Sequence, residues 1–197
     1  MTQKTEFKID ASKSAILVMD FQNAIVNNYS GTDRDSLLGR VSRVLQNCRD
    51  TNLPRIYVKI DFRPGFPEVS PKNLMFKALK VSDRFIPGSP GMEIHGAVSP
   101  QNGDVVVTKR RVSAFAGSDL EVLLRAQGID TLVLTGIATS GVVLSTLRYA
   151  ADLDFQCIVL KDCCADMDPE VHRVLTEKVF PRQATVLTAE EFLIRSQ

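Results

Sequence analysis

Two hydrophobic rhythms take turns along this chain. The run Ala15–Met19 is apolar at five consecutive positions and stops at Asp20. An unbroken run of that length predicts a strand, Ser14–Met19, buried on both faces. Leu37, Leu38, Val41, Val44, Leu45 and Cys48 recur instead at spacings of three and four, which predicts an amphipathic helix over 35–51. The strand pattern returns at Arg55–Ile60, Val105–Thr108, Thr131–Gly136, Gln156–Leu160 and Ala184–Leu187. Between the later strands lie helical segments at 118–127, Ser140–Ala151, 169–179 and Ala189–Ile194. Ser118 with Glu121 three residues on reads as a capping box, Gly128 as a helix stop, and Pro169 as a first-turn proline. Residues 61–103 break the alternation. They carry Pro64, Pro67, Pro71, Pro87, Pro90 and Pro100 and read as irregular, and a segment that long lines a site or an interface.

Apolar strands separated by helices imply a parallel sheet covered on both sides. The expected fold class is α/β: a three-layer α/β/α sandwich with a mainly parallel, doubly wound sheet of about six strands, formed as one domain over residues 1–197. Ligands in such sheets bind beyond the carboxyl ends of the strands. Three ends carry chemistry: Asp20 after the first strand, Lys109 after the third, and the small-residue turn Gly136–Val142 after the fourth.

Composition narrows the function classes. Charge is nearly balanced, with 24 basic and 23 acidic residues and no basic tract, so a nucleic-acid partner is not expected. Apolar runs such as Ala15–Met19 are too short to span a membrane. The start, MTQKTEFKID, has no apolar core of a signal peptide, so a cytoplasmic location is expected. Cys48, Cys157, Cys163 and Cys164 are then expected as free thiols, and neighbouring Cys163 and Cys164 lack zinc-site spacing.

Each candidate has a plain alternative. A carboxylate at the end of a buried strand, such as Asp20, suits acid–base work because burial raises its pKa; the same residue could simply cap a loop. Lys109 could orient that carboxylate, bind an anion, or be a solvated charge. The amides of a turn entering a helix form an anion or oxyanion site, or only a tight turn.

Taken together, AILVMDFQNAIV, FRPGFPEVSP, GSPGMEIHGAVSP, the long stretch from VVVTKRRVSAF to TGIATSGVVLSTLRYAADLDF, and EVHRVLTEKVFPRQATVLTAEEF resemble the isochorismatase-like hydrolase superfamily, in family order over nearly the whole chain. The resemblance places the family's catalytic Asp on Asp20 and its Lys on Lys109. The nucleophilic Cys of the family's Gly-x-x-Thr-x-x-Cys turn falls on Val142, in Gly136-Ile137-Ala138-Thr139-Ser140-Gly141-Val142. It further implies a cis peptide at Ile137–Ala138 and an oxyanion hole from the amides of Ala138 and Val142. Where relatives carry a metal-binding Asp-x-His, this chain reads Asp61-Phe62-Arg63, and His95 and His172 lie in segments that look structural. No metal and no cofactor are therefore expected. Arg63 reads as a clamp for a substrate carboxylate or as a loop-bracing ion pair. Phe66 and Phe115 could wall a pocket, although Phe115 equally suits the core. The resemblance also implies a homodimer or homotetramer, with the helix at 169–179 as a candidate contact.

Valine has no nucleophilic atom, so thiol catalysis at position 142 is excluded. Three readings remain. Asp20 and Lys109 could assist water in cleaving a vinyl ether on a small, carboxylate-bearing substrate, as true isochorismatases do, and this reading leads. Asp20 could instead act as base in direct hydrolysis of an amide or ester. The chain could also be a non-catalytic binding or interaction protein. Cys163 or Cys164, expected just after the strand Gln156–Leu160, are candidates for a displaced nucleophile.

Overall fold

The computed structural model describes residues 8–29 and 33–196. Six parallel strands form one sheet: β1 (Ser14–Met19), β2 (Arg55–Ile60), β3 (Val105–Lys109), β4 (Thr131–Ile137), β5 (Gln156–Ala165) and β6 (Thr185–Leu187), in spatial order β3-β2-β1-β4-β5-β6. The order reverses between β1 and β4, and this doubly wound arrangement opens a crevice at their carboxyl ends. The α/β class and strand number agree with the sequence reading.

Helices cover both faces: α1 (Asn23–Val26), α2 (Arg34–Asp50), α3 (Leu74–Lys80), α4 (Leu120–Ala126), α5 (Leu144–Asp152), α6 (Pro169–Val174) and α7 (Ala189–Arg195). α2 buries the six apolar residues whose spacing predicted it. They pack with Ile16, Val18 and Val133 of the sheet and Phe192 of α7. On the opposite face Leu17, Met19 and Leu134 meet Leu120 and Leu124 of α4 and Leu147 of α5. Asp104, just before β3, ties the edge strand down: its buried carboxylate pairs with Arg55 of β2 at 2.6 Å and Arg49 of α2 at 3.0 Å.

Four local expectations are corrected. Residues 61–103 are not irregular throughout. They contain α3, capped by Asn73 accepting from the Phe76 N–H, and the 3₁₀ turns Pro90–Met92 and Gly96–Val98. A third apolar cluster, with Ile60, Phe62, Phe76, Phe85 and Met92, holds this segment to the sheet. The capping box at Ser118 does not form: α4 begins at Leu120, and the Ser118 hydroxyl donates to the Ala114 carbonyl instead. β5 does not end at Leu160. It continues through a bulge, where the register against β4 jumps from Leu134↔Val159 to Gly136↔Cys164, and so Cys163 and Cys164 lie inside the strand rather than after it. Finally, the helices foreseen at Ser140–Ala151 and 169–179 are each part π-helical, at Thr139–Val143 and Leu175–Val179.

Candidate functional site

β1 is fully buried, and Asp20 follows it at the crevice with a positive φ of 60°. Short polar residues such as Asp tolerate this left-handed backbone better than most. The Asp20 N–H donates to the Val58 carbonyl of β2 at 2.8 Å, which fixes the turn. Lys109 ends β3, two strands away, and reaches over β2 to place Nζ 2.9 Å from Asp20 Oδ2. Both residues are buried, at 6% and 1% exposure, so their charges meet with little water to screen them.

The hydrogen bonds of this pair are unequal. Lys109 Nζ also donates to the carbonyls of Arg111 and Val112, each at 3.1 Å. An ammonium has three N–H groups, so all three have acceptors. Asp20 has the opposite balance: Oδ1 is buried and has no hydrogen-bond partner. Burial pushes the Asp20 carboxyl above its ordinary value, and Lys109 opposes this through its charge and its hydrogen bond. The net direction is upward, because the loss of solvation outweighs what Lys109 supplies.

The turn after β4 meets the same place. The Ile137–Ala138 peptide is cis, at the position implied by the sequence resemblance. Gly136 is required by close approach: a Cβ there would lie 2.9 Å from the Met19 carbonyl oxygen and 3.2 Å from Val142 Cγ1. Val142 is buried and packs with Met19, the residue before Asp20. The N–H groups of Gly141 and Val143 both donate to the Ala138 carbonyl, at 3.1 and 3.3 Å. Thr139 is fully buried, and its Oγ1 lies 2.8 Å from Nδ1 of His172. The Ser140 N–H donates to Asp166 Oδ2 at 2.7 Å.

The other sequence candidates have side-chain partners of their own. Arg63 is 68% exposed at its side chain and pairs with Glu68 at 2.6 Å, and the same Glu68 oxygen is 3.4 Å from Arg110. Phe66 packs on Phe62, ring centroids 5.3 Å apart. Phe115 is buried against Tyr149 and Phe155, inside the apolar cluster under α4 and α5. Asp61 pairs with Lys59 at 3.3 Å. Among the described residues, no three His, Cys, Asp or Glu side chains group as metal ligands, and no helix is long and apolar enough to cross a membrane. Burial pushes the thiols of Cys48 and Cys164 up to about 12 and that of Cys157 up to about 11, and Cys163 moves in the same direction.

Two polar residues escaped the sequence reading. Gln22 is buried beside the site and bonds Ile60 N–H, Ile60 carbonyl and Met92 carbonyl at 2.8–2.9 Å, joining β2 to the long segment. Its position two residues after Asp20 was the only signal. His172 looked structural in sequence, and only the return of α6 to the β4 turn reveals its contact with Thr139. His95 does serve structure, accepting from the Ala97 N–H at 3.2 Å to cap its 3₁₀ turn.

Known proteins are similar to this chain in sequence and fold. An uncharacterized isochorismatase family protein of Bacillus subtilis, YwoC, is 33% identical, over 94% of this chain and 95% of its own. A probable isochorismatase of Pseudomonas chlororaphis is 32% identical, over 96% and 89%. Amidohydrolases are also among the relatives. The solved structure of an isochorismatase family protein from Burkholderia thailandensis has a TM-score of 0.81 at 27% identity, covering 96% of this chain and 98% of that one. With the isochorismatase domain model matched across residues 14–191, the chain belongs to the isochorismatase family of hydrolases.

Proposed function

We propose that the protein hydrolyses a small, carboxylate-bearing vinyl ether with water, using Asp20 and Lys109 and no enzyme nucleophile. The observation that carries this reading is the asymmetry of the buried pair. Lys109 is saturated by Asp20 and two carbonyls, whereas Asp20 Oδ1 is free of partners. Asp20 is thus the group with an atom to offer a substrate, and Lys109 is its positioning residue. The raised pKa favours the protonated carboxyl that a general acid needs. Asp20 would give that proton to the terminal carbon of the enol ether. The resulting oxocarbenium ion takes up water, the hemiketal collapses to a ketone and an alcohol, and a proton returns to Asp20. While Asp20 is ionised, Lys109 balances its charge. Val142 stands in the turn where a thiol would attack, and the four cysteines are buried with pKa values held up by desolvation. Arg63 would meet the substrate carboxylate after release from Glu68.

The amidohydrolases among its relatives favour a second reading, in which ionised Asp20 is a base toward water and the amides of Ala138 and Val142 hold the oxyanion. The pH profile separates the two. A general acid loses activity as pH rises through its pKa; a general base gains it. The test is turnover of isochorismate, nicotinamide and simple amides by wild type, Asp20→Asn and Lys109→Met. Vinyl-ether turnover that Asp20→Asn lowers by about 10²–10⁴ is expected. Equal background rates in all three proteins would leave only a binding role.

A further inference from the structure

The turn after β4 is fastened at its first two residues by one stretch of chain. Thr139 is held through its hydroxyl by His172, at 2.8 Å. Ser140 is held through its N–H by Asp166, at 2.7 Å. Both fasteners belong to the stretch that leaves β5 and enters α6, and that stretch is braced in its own right. The Asp168 carboxylate accepts from the N–H groups of Glu170 and Val171 at the start of α6. The Thr176 hydroxyl donates to the His172 carbonyl at 2.9 Å. The turn itself, Thr139–Val143, carries only small or apolar side chains and no ionisable one. Of the two fasteners, His172 holds a side chain of the turn and Asp166 holds its backbone.

We propose that His172 is a positioning residue: by holding the Thr139 hydroxyl, it sets the direction of the backbone from Ala138 to Val142 beside Asp20. The proposal rests on the hydrolytic reading of this site. A neutral imidazole offers one accepting and one donating nitrogen, so it can take the Thr139 proton in a hydrogen bond. A protonated imidazole has only donors. Nδ1 would then donate to Oγ1, and the Thr139 hydroxyl hydrogen would have to turn toward another acceptor in a fully buried place. Burial favours the neutral ring; Asp166, at the end of β5, works against this, and Lys161 of β5 works with it. On its own helix the nearest charges, Arg173 and Glu170, pair with each other at 2.8 Å. Neutral His172 is thus the form that holds the turn.

The test combines kinetics with a readout that needs no turnover. Thr139→Val and His172→Phe each remove one hydrogen bond, worth about a five- to tenfold change at roughly 1 kcal/mol. The expected result is a kcat lowered by about that factor with KM unchanged. The double variant should be no slower than the slower single, and His172→Asn, which can place a polar atom near Nδ1, should restore most of the rate. In parallel, amide resonances of Thr139, Ser140 and Val142 are followed by NMR from about pH 5 to 8, the range in which histidine titrates. In wild type they should move in one step, with the midpoint of the His172 ring and below the ordinary histidine value, and the step should vanish in His172→Asn. Amides that ignore pH, a step that persists in His172→Asn, or a His172→Phe enzyme with unchanged kcat would overturn the proposal. If wild type turns over none of the substrates, the hydrolytic reading fails by itself, and the amide titration still decides whether His172 holds the turn.

Discussion

Lys109→Met is the substitution that most directly probes how this site is built. Methionine keeps much of the buried stem and removes the ammonium that holds Asp20 at 2.9 Å. Removing one partner of a buried ion pair costs about 3–5 kcal/mol, because the other charge is left without compensation. For a chain of 197 residues, each kcal/mol moves Tm by about 2–4 °C, so a drop of about 6–20 °C is expected. The loss should also depend on pH. Burial already raises the folded-state pKa of Asp20, and Lys109 is the group that restrains it. Without Lys109 that pKa rises further. Between the unfolded value, about 3.9, and the raised folded value, the folded state binds the extra proton, so stability falls as pH rises. The variant and wild type should therefore lie closer together at pH 5 than at pH 8 in urea melts. The pair Asp20→Asn/Lys109→Met, uncharged throughout, should recover most of the loss. A deficit that is the same at both pH values, or no deficit, would refute the claim that Lys109 compensates a buried carboxyl.

Three further outcomes follow from specific contacts. Gly136→Ala would put a methyl 2.9 Å from the Met19 carbonyl oxygen, so a loss of about 1–3 kcal/mol in denaturant unfolding is expected, with activity falling further because Met19 precedes Asp20. Asp104→Ala strands Arg49 and Arg55, and should cost about 3–5 kcal/mol by thermal or urea unfolding. Burial alone would raise the Asp104 carboxyl, but the Gln101 amide and the two arginines outweigh it and hold it low, so the stabilisation is present at neutral pH and should be lost in acid as pH falls through the depressed value. Val142→Cys supplies a thiol in the turn; amidase activity gained by this variant, and abolished in it by alkylation, is the expected sign that the Ala138–Val142 amides form an oxyanion site.

The legible parts of this molecule were those where pattern and burial coincide. β1 was readable to the residue because an apolar run between polar ends has one solution in a sheet covered on both faces. α2 was readable because all six of its patterned residues are buried. α3 was not, since Phe76 is the buried residue of its seven and no period appears. β5 looked shorter than it is because Lys161 and Asp162, at its bulge, interrupt the apolar run. Capping boxes were equally ambiguous: Ser118 and Glu121 fit the spacing but do not form one, whereas Thr188 and Glu191 do. At the site, Asp20, Lys109 and the turn could be read from strand ends. The partners of Arg63 and His172 could not, since a loop ion pair with Glu68 and a contact spanning 33 residues leave no local signature.

In the reading proposed above, Asp20 acts as a general acid through its unpartnered oxygen. The most direct test is the pH dependence of kcat for a vinyl-ether carboxylate such as isochorismate, measured for wild type and Asp20→Asn. Turnover by wild type that declines as pH rises, and that nearly disappears in Asp20→Asn at every pH, is the expected result. Turnover that increases with pH, or that survives in Asp20→Asn, would contradict it.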